Sequence, residues 1–290
     1  MMIDRLLICT DLDRTLIPNG PQAESPCARD YFDKLVSRDE VMLAYVSGRH
    51  RQLVEQAISN YHLPVPDYVI GDVGTTIYHV GLTHDWQRQL AWETEIAQDW
   101  GEHSHADLKA LLQDLPDLRI QENGKQNDYK LSYYVPLQSD SNSLSKIIRT
   151  RLEAENINAN QIWSDDEPNG IGLLDILPAR ASKYHAIKAL MGLQGFDDNN
   201  TVFCGDSGND IEVLASPIPA VLVANSQLEV QQHARQLADE MDHSEQLYLA
   251  QGHFMDMNGN YSGGIMEGIA HYHPETKTWM GFETNKKEAP

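Results

Sequence analysis

Short apolar runs alternate with amphipathic stretches over the first eighty residues. "RLLICT" has the length of a buried strand, "ARDYFDKLVSR" spaces its apolar positions as a helix does, and "VMLAYVSG" is apolar again. "HRQLVEQAISNYH" returns to the helical period, and "DYVIGDVG" to a strand-length run. Runs apolar throughout suit strands covered on both faces, and strand–helix–strand order requires parallel pairing through right-handed crossovers. The pattern predicts an α/β fold with a three-layer, Rossmann-like core around a parallel sheet.

From about Thr83 the rhythm changes. "LKALLQDLP" and "SLSKIIRTRLEAE" read as helices, and "LRIQ", "KLSYYVPL" and "QIWS" as strands, with turn chemistry at Asn123-Gly124 and Asn169-Gly170. This predicts an inserted α+β cap at residues 83–175. "GIGLLDILP" then leads back, and "SKYHAIKALMG", "TVFCGDSGND", "IEVLA" and "AVLVAN" restore the α/β alternation. The core is therefore expected at residues 1–82 and 176–290, with the tail "ETNKKEAP" frayed. No repeat or low-complexity tract interrupts this order.

Charge adds a constraint. The 290 residues, 41% of them hydrophobic, can bury one large core or two modest ones, but 22 Lys+Arg stand against 43 Asp+Glu, a net charge of -21. Nucleic acids and anionic membranes are held mainly by Lys and Arg, so neither is the expected partner. An anionic substrate has to be drawn in by local cations or a metal. Cys9, Cys27 and Cys204 are few and scattered, which excludes a disulfide framework or zinc pattern. The N-terminus, with Asp4 in a short apolar stretch, reads as neither signal peptide nor membrane span. The expectation is a soluble, cytoplasmic protein, most simply a monomer.

Ligands of open parallel sheets bind beyond the carboxyl ends of the strands. There the chain places Asp11 and Asp13, then Ser47-Gly48-Arg49 at a helix start, then Gly205-Asp206-Ser207-Gly208-Asn209-Asp210. Lys183 begins the helix after "DILP". Singly, these residues read as helix caps, turn residues or solvated charges. Together, in this order, they read as a site. Asp11, Asp13, Asp206 and Asp210 would crowd one crevice, where a pair of like charges at ~4 Å costs roughly 1 kcal/mol even in water. A hard divalent ion relieves this, and Mg²⁺ favours one or two carboxylates with waters and a phosphate oxygen. Ser47, Lys183 and a helix N-terminus at Gly48 are suitable donors for a phosphate. One carboxylate can attack phosphorus while a second moves protons to the leaving oxygen and from water.

The ordered set "DLDRT", "VSGR", a lysine and "GDSGND" resembles the haloacid dehalogenase superfamily of phosphatases. The resemblance implies Asp11 as nucleophile and Asp13 as general acid/base, with Thr15, Ser207 and Asn209 in support. It implies Ser47, Gly48 and Lys183 as phosphate ligands, and Mg²⁺ held by Asp11, Asp206 and the Asp13 carbonyl with Asp210 nearby. "PDYVIGDVGTTIYHVG", "YKLSYYVPLQ", "DILPARASK", "VFCGDSGNDIEVL" and "GGIMEGIAHY" are similar to the sucrose-phosphate phosphatase family along nearly the whole chain. This implies a hydrolase of sucrose biosynthesis that cleaves sucrose 6-phosphate, its cap closing over the sugar. Arg49, Gly74, Thr75, Thr76, Lys130 and Tyr133 become the sugar candidates, and a sucrose-phosphate synthase a compatible partner. Phosphates of mannosylfructose, glucosylglycerol or other sugars are the alternative substrates. A phosphomutase would carry a smaller helical cap, and a silent sugar-binding domain would have lost Asp11, Asp13 or Lys183.

Some features depart or tempt. Ser47 stands where the family commonly has Thr, which keeps the hydroxyl. "GHFMDMNGNYSGG" is longer than usual, and Asp256, Asn258, Asn260, Ser262 and Glu267 fall on EF-hand-like positions. Tyr261 occupies the place that needs Gly, so Asn258-Gly259 is read instead as a hairpin turn. His103 with His105, and His271 with His273, lack a third metal ligand at a useful spacing. Trp86, Trp92 and Trp100 are read as packing at the cap.

Overall fold

The computed structural model describes residues 3–282 except Leu82, His84, Glu167 and Pro168; the tail "ETNKKEAP" lies outside the described residues. In chain order the first elements are β1 (Leu6–Thr10), α1 (Ala28–Val36), β2 (Val41–Val46), α2 (Arg51–Tyr61), β3 (Tyr68–Gly71), β4 (Thr76–Val80), β5 (Trp86–Arg88) and α3 (Leu90–Ala97). Next come α4 (His105–Leu112), β6 (Arg119–Ile120), β7 (Leu131–Val135), α5 (Ser141–Ala154), β8 (Ala159–Asp166) and β9 (Ile171–Pro178). The chain continues through α6 (Lys183–Gln194), β10 (Thr201–Gly205), α7 (Ile211–Leu214), β11 (Ala220–Leu222), α8 (Leu228–Glu240) and β12 (Leu247–Leu249), and ends in α9 (Ser262–Tyr272) and α10 (Thr276–Trp279).

Eight strands form one sheet in the order β12-β11-β10-β1-β2-β3-β4-β5. All pairs from β12 to β3 are parallel, as the apolar runs predict. β1 is apolar along its length because both faces are covered. Leu6 and Ile8 enter a core with Phe32 and Ile269, while Leu7 and Cys9 enter another with Ile187 and Leu190. β4 and β5 extend this sheet antiparallel, a departure from the parallel reading. The reversal runs through Asp72, Val73 and Gly74, all left-handed, with φ 51°, 60° and 97°.

A second, antiparallel sheet has the order β6-β7-β9-β8 and shares a separate core with Leu108 of α4 and Ile148 of α5. β5 and α3 lie beyond residue 82 yet join the large sheet and its core, through Trp92 and Ile96. The tryptophans accordingly pack in three places rather than together at a cap: Trp86 and Trp92 against the two cores of the large sheet, Trp100 in the small one.

Two local expectations are corrected. Asn258-Gly259 does not turn a hairpin, for among the described residues no strand follows. Asn258 Nδ2 bonds Ala23 O, Gly259 O accepts from Ala224 N, and the chain enters α9. Glu267 is consumed by Tyr248 Oη and by the amides of Gln251 and Gly252, so its carboxylate is engaged by that loop. The helix after Ser47 begins at Arg51, with His50 before it, so Gly48 is not its first residue.

Candidate active site

The carboxyl ends of β1, β2 and β10 open into a cavity of about 420 Å³, which the small sheet also lines. That is within the roughly 300–1,000 Å³ of small-molecule sites. Asp11 follows β1 directly, 5% exposed, its backbone fixed by a bond from its amide to Cys204 O at 2.9 Å. Lys183 opens α6 beneath it, 2% exposed, with Nζ 3.2 Å from Asp11 and 2.6 Å from Asp210. Burial works against the charge on Lys183, but the two carboxylates outweigh it and hold its pKa above the ordinary lysine value. Burial pushes Asp11 up, Lys183 pulls it back, and Asp210, Asp206 and Asp13 push it further.

The segment after β10 folds on Asp210, whose Oδ2 accepts from the amides of Asp206 and Ser207, both at 3.1 Å. That turn delivers Asp206 into the crevice, where Thr15 Oγ1 donates to it at 3.2 Å. Burial and Asp210 raise Asp206 to about 7, with Arg14 opposing them. Asp11, Asp206 and Asp210 each offer an oxygen within 4.8 Å of the others. Three buried carboxylates facing one lysine are a donor set suited to a hard divalent cation. Ser47 is buried at the end of β2, its Oγ accepting from Arg49 N at 3.2 Å.

Asp13 lies at the cavity wall, gripped by Arg49 through both oxygens at 2.6 and 2.7 Å, with Asn19 Nδ2 at 2.7 Å. Burial opposes ionisation of Asp13, but the Arg49 pair prevails and lowers its pKa. Arg49, a sugar candidate by sequence, is thus occupied by a carboxylate.

The other sugar candidates divide. Lys130 lines the cavity, 6% exposed, between Asp72 at 3.6 Å and Asp175 at 3.9 Å. Tyr133 does not line it: the ring is buried in the small sheet's core beside Leu131 and Val135. Period-two alternation along β7 already puts these three on one face. Gly74, Thr75 and Thr76 also lie off the wall. Gly74 O accepts from Trp92 Nε1, and Thr75 Oγ1 accepts from Asn127 Nδ2, both at 2.9 Å. The cavity is lined as well by Arg14, Gln121 and Asp175, which sequence reasoning missed. Arg14 could have been found from its place between Asp13 and Thr15; Gln121 and Asp175 carry no local signal. His103 and His105 bond Trp100 O and Gln126, and neither belongs to the cluster of metal-suited side chains found among the described residues.

Parallel strands that end in a buried carboxylate, a lysine and an acidic cluster define a phosphoric monoester hydrolase of the haloacid dehalogenase fold. The chain belongs to the sucrose-6F-phosphate phosphohydrolase family, whose profile matches residues 4–273. It is 54% identical to a HAD-like hydrolase of Nitrosococcus oceani over 289 residues, 99% of this chain and 76% of that one. It is 30% identical to sucrose-phosphatase 2 of Nicotiana tabacum over 79% of this chain, and spans about half, 52%, of that protein's length. A mannosylfructose-phosphate phosphatase of Agrobacterium fabrum is 26% identical over 92% of this chain and 96% of its own. The solved sucrose-phosphatase of Synechocystis, in complex with sucrose and phosphate, aligns with TM-score 0.74 and 26% identity, covering 94% of this chain and 98% of that one. No helix among the described residues is long and apolar enough to cross a membrane.

Proposed function

We propose that this protein is a Mg²⁺-dependent phosphatase that hydrolyses sucrose 6-phosphate to sucrose and phosphate through an aspartyl-phosphate on Asp11. The observation that carries the reading is the buried cluster of Asp11, Asp206 and Asp210 around Lys183 at the strand ends. Asp11, Asp206 and Asp210, with the Asp13 carbonyl, would hold the cation, which when bound neutralises charge on the phosphoryl oxygens. Lys183 and Ser47 hold the remaining oxygens. An Asp11 oxygen bonds to phosphorus as the sugar oxygen departs, taking a proton from Asp13. Asp13 then removes a proton from water, whose oxygen attacks the same phosphorus and frees Asp11 and phosphate. The Arg49 grip favours ionised Asp13, the form that accepts a proton from water. The incoming anionic phosphate works the other way and raises its proton affinity.

In this reading the small sheet with α4 and α5 is the cap, and its Gln121, Lys130 and Asp175 face the sugar. Thr15, Ser207 and Asn209 shape the loops, with Ser207 Oγ and Lys183 Nζ both donating to Asn209 Oδ1. A second reading, a phosphatase of another glycoside phosphate, is favoured by the Agrobacterium relative, which matches over nearly its entire length. Phosphate release from sucrose 6-phosphate, mannosylfructose phosphate and glucosylglycerol phosphate, with and without Mg²⁺, separates them by kcat/KM. The primary reading expects sucrose 6-phosphate to lead, only with Mg²⁺, and Asp11→Asn to be inert. Turnover by Asp11→Asn would sink the mechanism. Co-purification with a sucrose-phosphate synthase tests that partnership.

A further inference from the structure

Arg14 lines the crevice, and this mechanism does not use it. Its backbone is left-handed, φ 57°, a conformation rare for a side chain without a short polar group. Strain of this kind persists where the surroundings over-determine it. Here they do: Arg14 N donates to Asn19 Oδ1 at 2.8 Å, and Arg14 O accepts from Asn225 Nδ2 at 2.6 Å. The backbone is clamped on both sides, so only the side chain is free to respond to a ligand.

That side chain lines the cavity and brings Nε to 3.6 Å from Asp206 Oδ2, too far for a hydrogen bond. Nε is buried without a hydrogen-bond partner. Gly20 stands nearby, where an added Cβ would lie 3.6 Å from it. Asp206 is 5% exposed on its side chain, and its second oxygen already takes Thr15. The oxygen facing Arg14 does not take that bond and is open to a cation. Arg14 stands against it as a counter-ion without the geometry of a committed pair.

We propose that Arg14 is the exchangeable counter-ion of the acidic cluster: it balances Asp206 until a divalent cation takes that carboxylate, then serves the phosphoryl group. This rests on reading the crevice as a divalent-cation phosphatase site. A guanidinium displaced from a carboxylate keeps its planar fork of donors, which matches phosphate as well. The arrangement opposes metal binding and assists anion binding, and these opposite signs make it testable.

Arg14→Asn removes the charge and places at φ 57° a residue that tolerates the left-handed region. Calorimetric titration with Mg²⁺ alone is expected to show binding about tenfold tighter than in the unsubstituted protein, the scale of one unit charge a few ångströms from a divalent ion in high dielectric. Titration of the Mg²⁺-saturated protein with inorganic phosphate is expected to show binding about tenfold weaker. Arg14→Lys, which keeps the charge, is expected to leave Mg²⁺ binding near that of the unsubstituted protein. Mg²⁺ affinity unchanged in Arg14→Asn, or both affinities weakened as a damaged fold would do, overturns the proposal. If the unsubstituted protein binds no Mg²⁺ and releases no phosphate, the phosphatase reading falls and the counter-ion role with it. If it binds Mg²⁺ and turns over while Arg14→Asn is indistinguishable from it, only the counter-ion role falls.

Discussion

Lys183 is 2% exposed between Asp11 and Asp210, so removing it leaves buried like charges with no cation between them. Breaking a buried pair from one side costs roughly 3–5 kcal/mol. Lys183→Met is expected to show that loss in urea unfolding of the metal-free protein, to recover part of it in Mg²⁺, and to lack turnover. Asp206 provides a pH test. Burial and Asp210 raise it to about 7, so the folded protein keeps a proton that the unfolded chain releases near pH 4. Asp206 therefore subtracts nothing below that pH and progressively more as pH rises towards 7, after which the loss is complete. The stability advantage of Asp206→Asn in chelator is expected to grow over that window, by at most roughly 1.4 kcal/mol per pH unit, and then level off. A flat difference would contradict it. At this scale the acidic residues and Lys183 were legible because each stands at a strand end or helix start. Arg49 and Asn19 were not, since their hold on Asp13 depends on where long side chains reach across two loops.

Among elements, the left-handed turn Asp72-Val73-Gly74 decides more than its length suggests. It reverses the sheet and packs against the start of α6. A Cβ on Gly74 would stand 2.5 Å from the carbonyl carbon and oxygen of Ser182 and 3.0 Å from Lys183 N, all backbone, at a φ of 97°. Gly74→Ala must therefore move the first turn of α6, and Lys183 with it. The expected result is kcat lowered about ten- to a hundredfold, the scale of a displacement near 1 Å in a catalytic group, with weaker binding of inorganic phosphate. A rise in the KM for sugar phosphate alone would instead place Gly74 at the sugar. The parallel strands were legible because apolar runs six or so residues long have one reading when helical stretches separate them. β4 and β5 were missed because the turn before them uses Asp and Val at positive φ, where composition predicts neither. The stretch at residues 252–261 misled for the opposite reason. Asn-Gly is a hairpin signal only when strands flank it, and here it leads into α9.

For the whole molecule, the two sheets meet around the cavity and are tied by apolar and polar contacts alike: Leu177 of β9 and Ile162 of β8 join the core beneath the large sheet. Asn127 bonds Thr75 at 2.9 Å, and Lys130 faces Asp72 at 3.6 Å, each joining the small sheet's side to the large one's. Lys130→Met is expected to raise the KM for sucrose 6-phosphate several-fold while leaving p-nitrophenyl phosphate, which has no sugar to contact, within about twofold. Equal losses on both substrates would assign Lys130 to the phosphate or to stability. The global charge of -21 repels such substrates, so recognition depends on the cations gathered at the cavity. Fold class and family were legible across the chain. The small sheet's contacts were not, because they arise where separate sheets approach.

The position of β1 between β2 and β10 has a consequence for synthesis. β2 is made soon after β1, but β10 begins only at Thr201. At roughly 5–20 residues per second, the chain carries β1 with one open edge for roughly 10–30 s. An apolar edge exposed for that long invites pairing with other chains, so the nascent N-terminal third is the stretch most in need of chaperone cover. The same order has a second effect. Lys183 leaves the ribosome after Asp11 and Asp13 but before Asp206 and Asp210, so the four carboxylates are never present together without that lysine.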